Sequence, residues 1–168
     1  MDSAFIKSNL RQLERLEQLA ATVSDEDLLR PMDAGWTIAS VLAHLAFWDH
    51  RACPLIEKWG KEGIGESPLD TDLVNEVTRY FFLALPPREA LRLALDSARA
   101  IDQTLVNLDP VFLEAITTRG RAVQIDRGRH HGAHLDEIER VLGKKWIPPA
   151  YNSTASPAVY VSGLSNIT

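Results

Sequence analysis

The chain has 168 residues, of which 45% are hydrophobic and 24% charged, with a net charge of −5 and a pI near 5.5. This composition is that of a soluble globular protein, long enough for one well-packed domain and short for two. The acidic balance and the lack of a basic run argue against nucleic acid as a partner, because phosphate binding needs clustered Lys and Arg. The single cysteine excludes an intrachain disulfide and suits a reducing cytoplasm, and no apolar run is long enough for a signal peptide or a membrane span.

Apolar residues recur at helical spacing along most of the chain, which predicts an all-α fold. The predicted helices span residues 3–23, 37–59, 71–82, 88–108 and 122–142. Thr37 is a suitable N-cap for the second helix, and Pro54 inside that helix predicts a kink or break near residues 49–53. Residues 24–35 are a connector that opens on a short capped turn, and residues 109–120 are predicted to be a loop.

Beyond Trp146 the helical pattern stops and Pro, Ser, Thr and Gly become frequent. We therefore expect one helical domain, residues 1–146, followed by an irregular, extended C-terminal tail, residues 147–168. Tyr151 and Tyr160 in the tail, together with Trp146, are the residues expected to pack it against the domain.

Two histidines stand four residues apart in the last predicted helix, in the sequence RHHGAHLDEIE. Four residues turn an α-helix through about 400°, so His130 and His134 lie on one face, one turn apart. Two buried neutral imidazoles need partners, and a shared metal ion is one way to supply them. Hydrogen bonding within the core is the other interpretation of the pair.

A third histidine, His44, lies in the middle of the second helix among alanines, leucines and aromatic residues. Alone it would be read as a hydrogen-bonded core residue. With His130 and His134 it makes three nitrogen ligands from two helices, and three protein ligands with an open position are typical of a catalytic rather than a structural metal site.

These features in this order resemble the DinB-like family, the DNA-damage-inducible or YfiT-like metalloenzymes. The matching segments are SDEDLLRPMDAGWTIASVLAHLAFWDHR, PLDTDLVNEVTRY, EALRLALDSARAIDQTLVNL and HHGAHLDEIERVL, which lie between about residues 5 and 142. The resemblance implies a four-helix bundle in down-up-up-down order with an additional helix. It also implies a divalent metal held by His44, His130 and His134.

Three imidazoles suit zinc, nickel or divalent iron rather than calcium or magnesium. The resemblance implies an enzyme that acts on a small molecule, either a transferase or isomerase that uses a low-molecular-weight thiol as cosubstrate, or a hydrolase. A non-enzymatic, stress-related binding protein with a vestigial or structural metal site is the alternative. A cavity beside an open metal site would favour the enzyme, and a collapsed apolar surround would favour the binding protein.

Other polar residues near the histidines are weaker candidates. Glu137, one turn after His134, could orient a ligand, act as a base or pair with Arg51. Asp126, one turn before His130, could accept a hydrogen bond from an imidazole. The neighbouring His131, His50 and Asp49 point away from the predicted ligand face, and we expect them to be exposed or peripheral. The tryptophans Trp36 and Trp48 could line a pocket or pack in the core.

The chain is also expected to pair with a second copy of itself. Residues 80–83, with the sequence YFFL, are apolar on every side of a helix, so one face of a bundle cannot bury all of them. Because exposed apolar patches usually mark interfaces, we predict a symmetric homodimer. Folding of the tail over these residues is the alternative.

Overall fold

In a computed structural model, the structure is described for residues 4–147, and the predicted all-α fold is confirmed there. Within that range no β-strand forms, and a single β-bridge joins Pro31 and Thr37. Two short 3-10 turns, Asp33–Gly35 and Ala122–Gln124, accompany the α-helices. The helices are α1 (Ala4–Thr22), α2 (Asp25–Leu28), α3 (Ile38–Glu62), α4 (Thr71–Ala84), α5 (Pro87–Val106), α6 (Pro110–Thr118) and α7 (Arg127–Leu142).

Helix α3 is continuous through Pro54, so of the predicted kink or break near residues 49–53 the break is wrong, and the kink stays a prediction. Pro54 lies on the exposed side of the helix, whereas Leu55 and Ile56 beside it are buried in the core. Packing of these neighbours therefore holds the helix together although the proline removes one backbone hydrogen bond.

Helix α6 replaces the loop predicted for residues 109–120. Asp109 caps it by accepting hydrogen bonds from the backbone N–H groups of Val111 and Phe112. Leu113 and Ile116, three residues apart, bury the inner face of this short helix. Asp109 followed by proline at the first helical position is a helix start, so the loop predicted from this dipeptide is wrong.

The last helix begins at Arg127 rather than at the predicted residue 122. Residues 122–124 form a 3-10 turn, and Asp126 is the N-cap of α7. The predicted end is correct, because Gly143 takes the left-handed conformation that closes the helix, with φ of 65°.

Four helices contact one another in a closed cycle: α1 packs on α5, α5 on α3, α3 on α7, and α7 on α1, with α4 packed against α3. The core between them is built from fully buried leucines and isoleucines such as Leu42, Leu45 and Ile138. The down-up-up-down order of the helices remains a prediction.

Gly128 brings the start of α7 into direct contact with α1. A Cβ atom at this position would lie 2.7 Å from the backbone carbonyl carbon of Ser8 and 2.8 Å from the backbone nitrogen of Asn9. The backbone N–H of Gly128 also donates a hydrogen bond to the Asn9 side chain. Only glycine allows this approach, which fixes where α7 begins relative to the bundle.

None of the helices in the described part of the chain combines the length and apolar character that crossing a membrane requires. Trp146 packs against α1, with the Arg11 guanidinium 5.1 Å from its ring centre. The expected contacts of Tyr151 and Tyr160 lie outside the described residues, so the domain boundary and the tail remain predictions.

Candidate metal centre

Helix α3 places His44 in an aromatic setting. The helix starts at a capping box in which Thr37 and Ser40 each accept a hydrogen bond from the other's backbone N–H. His44 lies almost two turns further on and is buried. Its ring centre is 5.5 Å from that of Trp36, 6.3 Å from that of Trp48 and 6.4 Å from that of Phe82.

Helix α7 supplies the other two imidazoles. The rings of His130 and His134 are half-buried, with centres 4.9 Å apart, as expected for residues one turn apart on a helix. Each ring centre is also 5.0 Å from that of His44.

The three histidines form one cluster compatible with a metal site. One ring nitrogen from each of His44, His130 and His134 lies within 4.8 Å of the other two. The Nε2 atoms of His44 and His130 are 3.0 Å apart. Ligands around a zinc ion stand at about 2.0–2.1 Å from it, so small side-chain rotations would bring all three nitrogens to a common ion. The structure therefore brings the predicted ligands together, and metal binding itself remains a prediction.

Both buried rings of the cluster are held in the neutral form. Burial is the main cause that lowers the pKa of His44 to about 3, and His134 and Arg127 lower it further. Burial also holds the pKa of His130 far below its usual range, with Arg127 as the next cause. Neutral imidazole is the form that binds a metal, so this donor set fits a transition-metal ion at neutral pH.

Glu137 orients His134. The Glu137 carboxylate lies 3.1 Å from Nδ1 of His134. In the neutral tautomer with the proton on Nδ1, this nitrogen donates a hydrogen bond to the carboxylate. In that tautomer Nε2 is available as a metal ligand, an arrangement common for metal-bound histidines. The alternative pairing of Glu137 with Arg51 is not formed, because Arg51 donates to the carbonyl and hydroxyl oxygens of Ser67.

Asp126 is not an acceptor for an imidazole. Its side chain accepts a hydrogen bond from the backbone N–H of Arg129 and caps α7. The residue that contacts His130 is Arg127, which the sequence interpretation missed. Arg127 lies three residues before His130, so it is a neighbour on the helix surface, and this spacing was the available signal.

Arg127 selects the tautomer of His130. A guanidinium only donates hydrogen bonds, so Nδ1 of His130, 2.5 Å from Nη2 of Arg127, must accept. The ring proton then lies on Nε2, which donates to Nε2 of His44. Nε2 of His44 is then the acceptor, so the proton of His44 lies on Nδ1. This Nδ1 atom is buried and has no hydrogen-bond partner. Binding of a metal through Nε2 of His130 requires Arg127 to turn away.

A second buried histidine lies next to this cluster in a closed ionic network. Nε2 of His131 is 2.8 Å from the carboxylate of Asp49, which is fully buried. Nε of Arg127 donates to the same carboxylate at 2.7 Å. The expectation that His131 and Asp49 are exposed or peripheral is therefore wrong, whereas His50 is exposed as predicted.

His131 is buried because it lies on the side of α7 that faces the core. His131 shares its helix face with Leu135, Ile138 and Leu142, which are all buried. Their spacing of four, three and four residues was visible in the sequence and marks the core face of α7. His130 and His134 lie at the edge of that face, where the core opens to a cavity.

The same network extends to α5 and α1. Asp102 is buried, and that burial raises its pKa to about 6, with the charge of Asp49 adding to the effect. The charge of His131 acts in the opposite direction and lowers it. Asn9 of α1 is also buried and accepts a hydrogen bond from the backbone N–H of Gly128. Helices α1, α3, α5 and α7 therefore each contribute a buried polar side chain to this region of the core.

A cavity of about 490 Å³ opens on the histidine cluster. Trp36 and Trp48 line it, as one interpretation of the sequence expected, and so does Asn75, which accepts a hydrogen bond from the indole N–H of Trp48 at 3.1 Å. The wall is mostly apolar, and the three imidazoles and Glu137 are among its polar groups. This combination is typical of a small-molecule site.

Comparison with known families agrees with this geometry. The profile of the DinB superfamily matches residues 10–137, which include all three histidines of the cluster. No curated protein and no solved structure matches the chain in the corresponding comparisons. The match covers most of the chain, so this protein belongs to the DinB superfamily.

Proposed function

We propose that the protein is a metal-dependent enzyme that acts on a small molecule at the cluster of His44, His130 and His134. One observation carries the proposal: three imidazoles from two helices converge at the wall of an apolar cavity of about 490 Å³. Three protein ligands leave at least one coordination position for water or substrate, as in catalytic zinc sites.

Zinc or nickel fits this donor set best, and divalent iron is the next choice, because imidazole suits these metals. When bound, such an ion supplies a Lewis acid and an activated water or thiolate. The protein contributes the surroundings. Glu137 holds His134 in the ligating tautomer, and the aromatic rings around His44 keep bulk water from its inner side.

Two reaction types suit the site. One is transfer or isomerisation that uses a low-molecular-weight thiol as cosubstrate, and the other is hydrolysis. The mostly apolar cavity is large enough to hold both a small substrate and part of a cosubstrate. We include a cytoplasmic location in the proposal, because a chain with a single cysteine suits a reducing compartment.

The alternative function is non-enzymatic binding with a vestigial or structural metal site. The cavity beside the histidines favours the enzyme, because a vestigial site would be expected in a collapsed apolar surround. The unsatisfied Nδ1 of His44 and the imidazoles that lack a buried carboxylate partner point the same way.

Elemental analysis of protein purified without a histidine tag tests the metal. We expect about one zinc, nickel or iron ion per chain, lost in His130→Ala. Assays for thiol transfer and for hydrolysis on the metal-loaded protein then separate the two reaction types. Stoichiometric metal without activity in either assay would favour the binding protein, and absence of metal binding after reloading would reject the proposed function.

We also propose a homodimer formed through α4. Leu73, Val77, Tyr80 and Phe81 lie along one side of this helix and are each more than half exposed, from 53% at Val77 to 70% at Phe81. Phe82, in contrast, is buried against the core. An exposed apolar stripe of this kind favours an interface.

Sedimentation at micromolar concentration tests the dimer. We expect a dimer for the natural chain and a monomer for Phe81→Arg, and a natural chain that sediments near 18.7 kDa would reject the dimer.

A further inference from the structure

A second cavity of about 450 Å³ adjoins the one at the histidine cluster. Trp48 and Thr71 belong to the walls of both cavities. Its charged lining is dominated by Arg51, Arg121 and Arg127, with Glu66 as the single carboxylate in the wall. We call this space the arginine cavity.

The cations of the arginine cavity are not fully balanced. Arg121 pairs with Glu66 at 3.1 Å, and Arg127 pairs with Asp49 at 2.7 Å. Arg51 donates to Ser67 and lies over the Trp48 ring at 5.7 Å, but none of the residues in the range 4–147 supplies it with a carboxylate. Burial, with Arg127 as the next cause, lowers the pKa of Arg51, which is the direction expected of a cation without a compensating anion.

The position of Arg51 relates this charge to the histidine cluster. Arg51 follows His44 by seven residues, so it lies two turns along the same side of α3, about 10.5 Å away along the helix axis. Trp48 stands between them and forms part of both walls. A molecule with an anionic group at one end and a reacting group about 10 Å away would therefore span the two cavities.

We propose that the arginine cavity binds the anionic group, a carboxylate or a phosphate, of the small molecule whose other end reaches the histidine cluster. Guanidinium groups bind both anions through paired, charge-assisted hydrogen bonds. The assignment of the anion to that molecule rests on the proposed function. The anion site itself rests only on the arginines of the cavity and is independent of the proposed function.

Arg127 joins the two cavities. Its Nη2 atom contacts Nδ1 of His130, and its side chain also lines the arginine cavity. A bound anion is a stronger acceptor for a guanidinium than a neutral imidazole is. Turning of Arg127 toward the anion would free Nδ1 of His130 to carry the ring proton and Nε2 to accept a metal.

Titration of the full chain after chelator treatment tests the site. Inorganic phosphate and acetate are added in separate arms at constant ionic strength, and binding is followed by calorimetry. We expect saturable binding in at least one arm, and the tighter arm identifies the anion. Arg51→Gln should weaken that binding about tenfold or more, because it removes hydrogen bonds to a charged group.

Arg129→Gln is the matched control, since Arg129 is exposed on α7 and lines neither cavity. It removes the same charge and should change the affinity less than twofold. Arg121→Gln is a second test variant. Arg121 is 29% exposed, so its replacement should weaken binding without disturbing the core. Equal loss in the control, or no saturable binding in either arm at millimolar concentration, would overturn the proposal.

Imidazole NMR spectra of the same samples give a second measurement. Phosphate or acetate should move the His130 ring from the tautomer protonated at Nε2 toward the one protonated at Nδ1, and in Arg51→Gln the same change should need about tenfold more anion. Zinc titration with and without the anion separates the two proposals. Anion binding with no zinc binding in either condition rejects the proposed function and keeps the anion site, and zinc binding without anion binding rejects the anion site alone.

Discussion

His130 and His131 are neighbours in sequence and occupy opposite environments. The His130 ring faces two other imidazoles and a cavity, and its Nδ1 contacts a guanidinium. The His131 ring points into the core and contacts the buried carboxylate of Asp49. One step along the helix, about 100°, therefore separates an open histidine site from a closed ionic network.

The difference lies in where the negative charge is. In the closed network Asp49 contacts both Arg127 and His131, and the group joins α3 to α7. The histidine cluster has no buried carboxylate among the described residues, so the His44 and His130 rings remain neutral and Nδ1 of His44 has no hydrogen-bond partner. Polar groups that a fold leaves unsatisfied in this way are where a ligand is expected.

Removal of the shared carboxylate should have the largest effect on stability. Asp49→Ala would leave Arg127 and His131 buried without their partner, which typically costs about 3–5 kcal/mol. Urea unfolding measures this free energy. Asp33→Ala is the control, since Asp33 is 98% exposed and its removal should be close to neutral. A change below about 1 kcal/mol in Asp49→Ala would mean that the network contributes little.

The second prediction uses the raised pKa of Asp102. A folded-state pKa of about 6, above the ordinary 3.8, means that the folded protein holds this proton more tightly than the unfolded chain does. Relative to Asp102→Asn, the natural protein should lose on the order of 2–3 kcal/mol of unfolding free energy as pH rises from about 4 to above 6. Urea unfolding across this pH range measures the difference, and a constant difference would contradict it.

The histidine cluster gives the opposite slope in the metal-free protein. The pKa of His44 is lowered to about 3, so its unfolded form binds the proton more tightly. Stability from this residue is present above about pH 6.5 and is lost as pH falls toward 3. The same pH series on His44→Phe should show a shallower loss on the acid side, whereas an unchanged slope would show that His44 is not the titrating group.

The fourth prediction compares the two neighbours, His130 and His131, directly. His131→Ala should lower the unfolding free energy by about 1–3 kcal/mol, because it leaves part of the buried Asp49 unpaired. Zinc binding, measured by calorimetry, should persist in that variant. Loss of zinc binding in His131→Ala with normal binding in His130→Ala would reverse the assignment of the two rings.

The smallest effect on stability is expected for His130→Ala. This variant should abolish stoichiometric metal binding while helix content, measured by circular dichroism, stays unchanged, since the helices already supply a core of ordinary size. The change in unfolding free energy of the metal-free protein should stay below about 1 kcal/mol. Outright unfolding at room temperature would make the site a structural one and weaken the enzyme proposal.

Periodicity predicted the parts of the molecule that depend on local rules. The four-residue spacing put His130 and His134 on one face, and Thr37 marked the start of the helix that carries His44. These features are set within a single helix, so one stretch of sequence contains the information. The resemblance to a family then related the two helices to one another.

The missed features depend on contacts between distant segments. Asp49 lies 82 residues from His131, and their pairing is decided by which helix faces meet in the core. The buried spacing from His131 through Leu135 to Ile138 was present in the sequence, but the sequence does not show which residue of another helix pairs with His131. The loop predicted to begin at Asp109 is also wrong, because Asp109 caps a nine-residue helix.

The separation of the histidines has a consequence for the order of events in folding. His44 and His130 lie 86 residues apart, and α7 follows the other six described helices along the chain. During synthesis, the helix that carries His44 is complete long before α7 leaves the ribosome. The chain must close a long loop before the three rings can meet, and contacts of that range form late in folding. The proposed metal site would therefore be complete only after α7 has docked on the rest of the bundle.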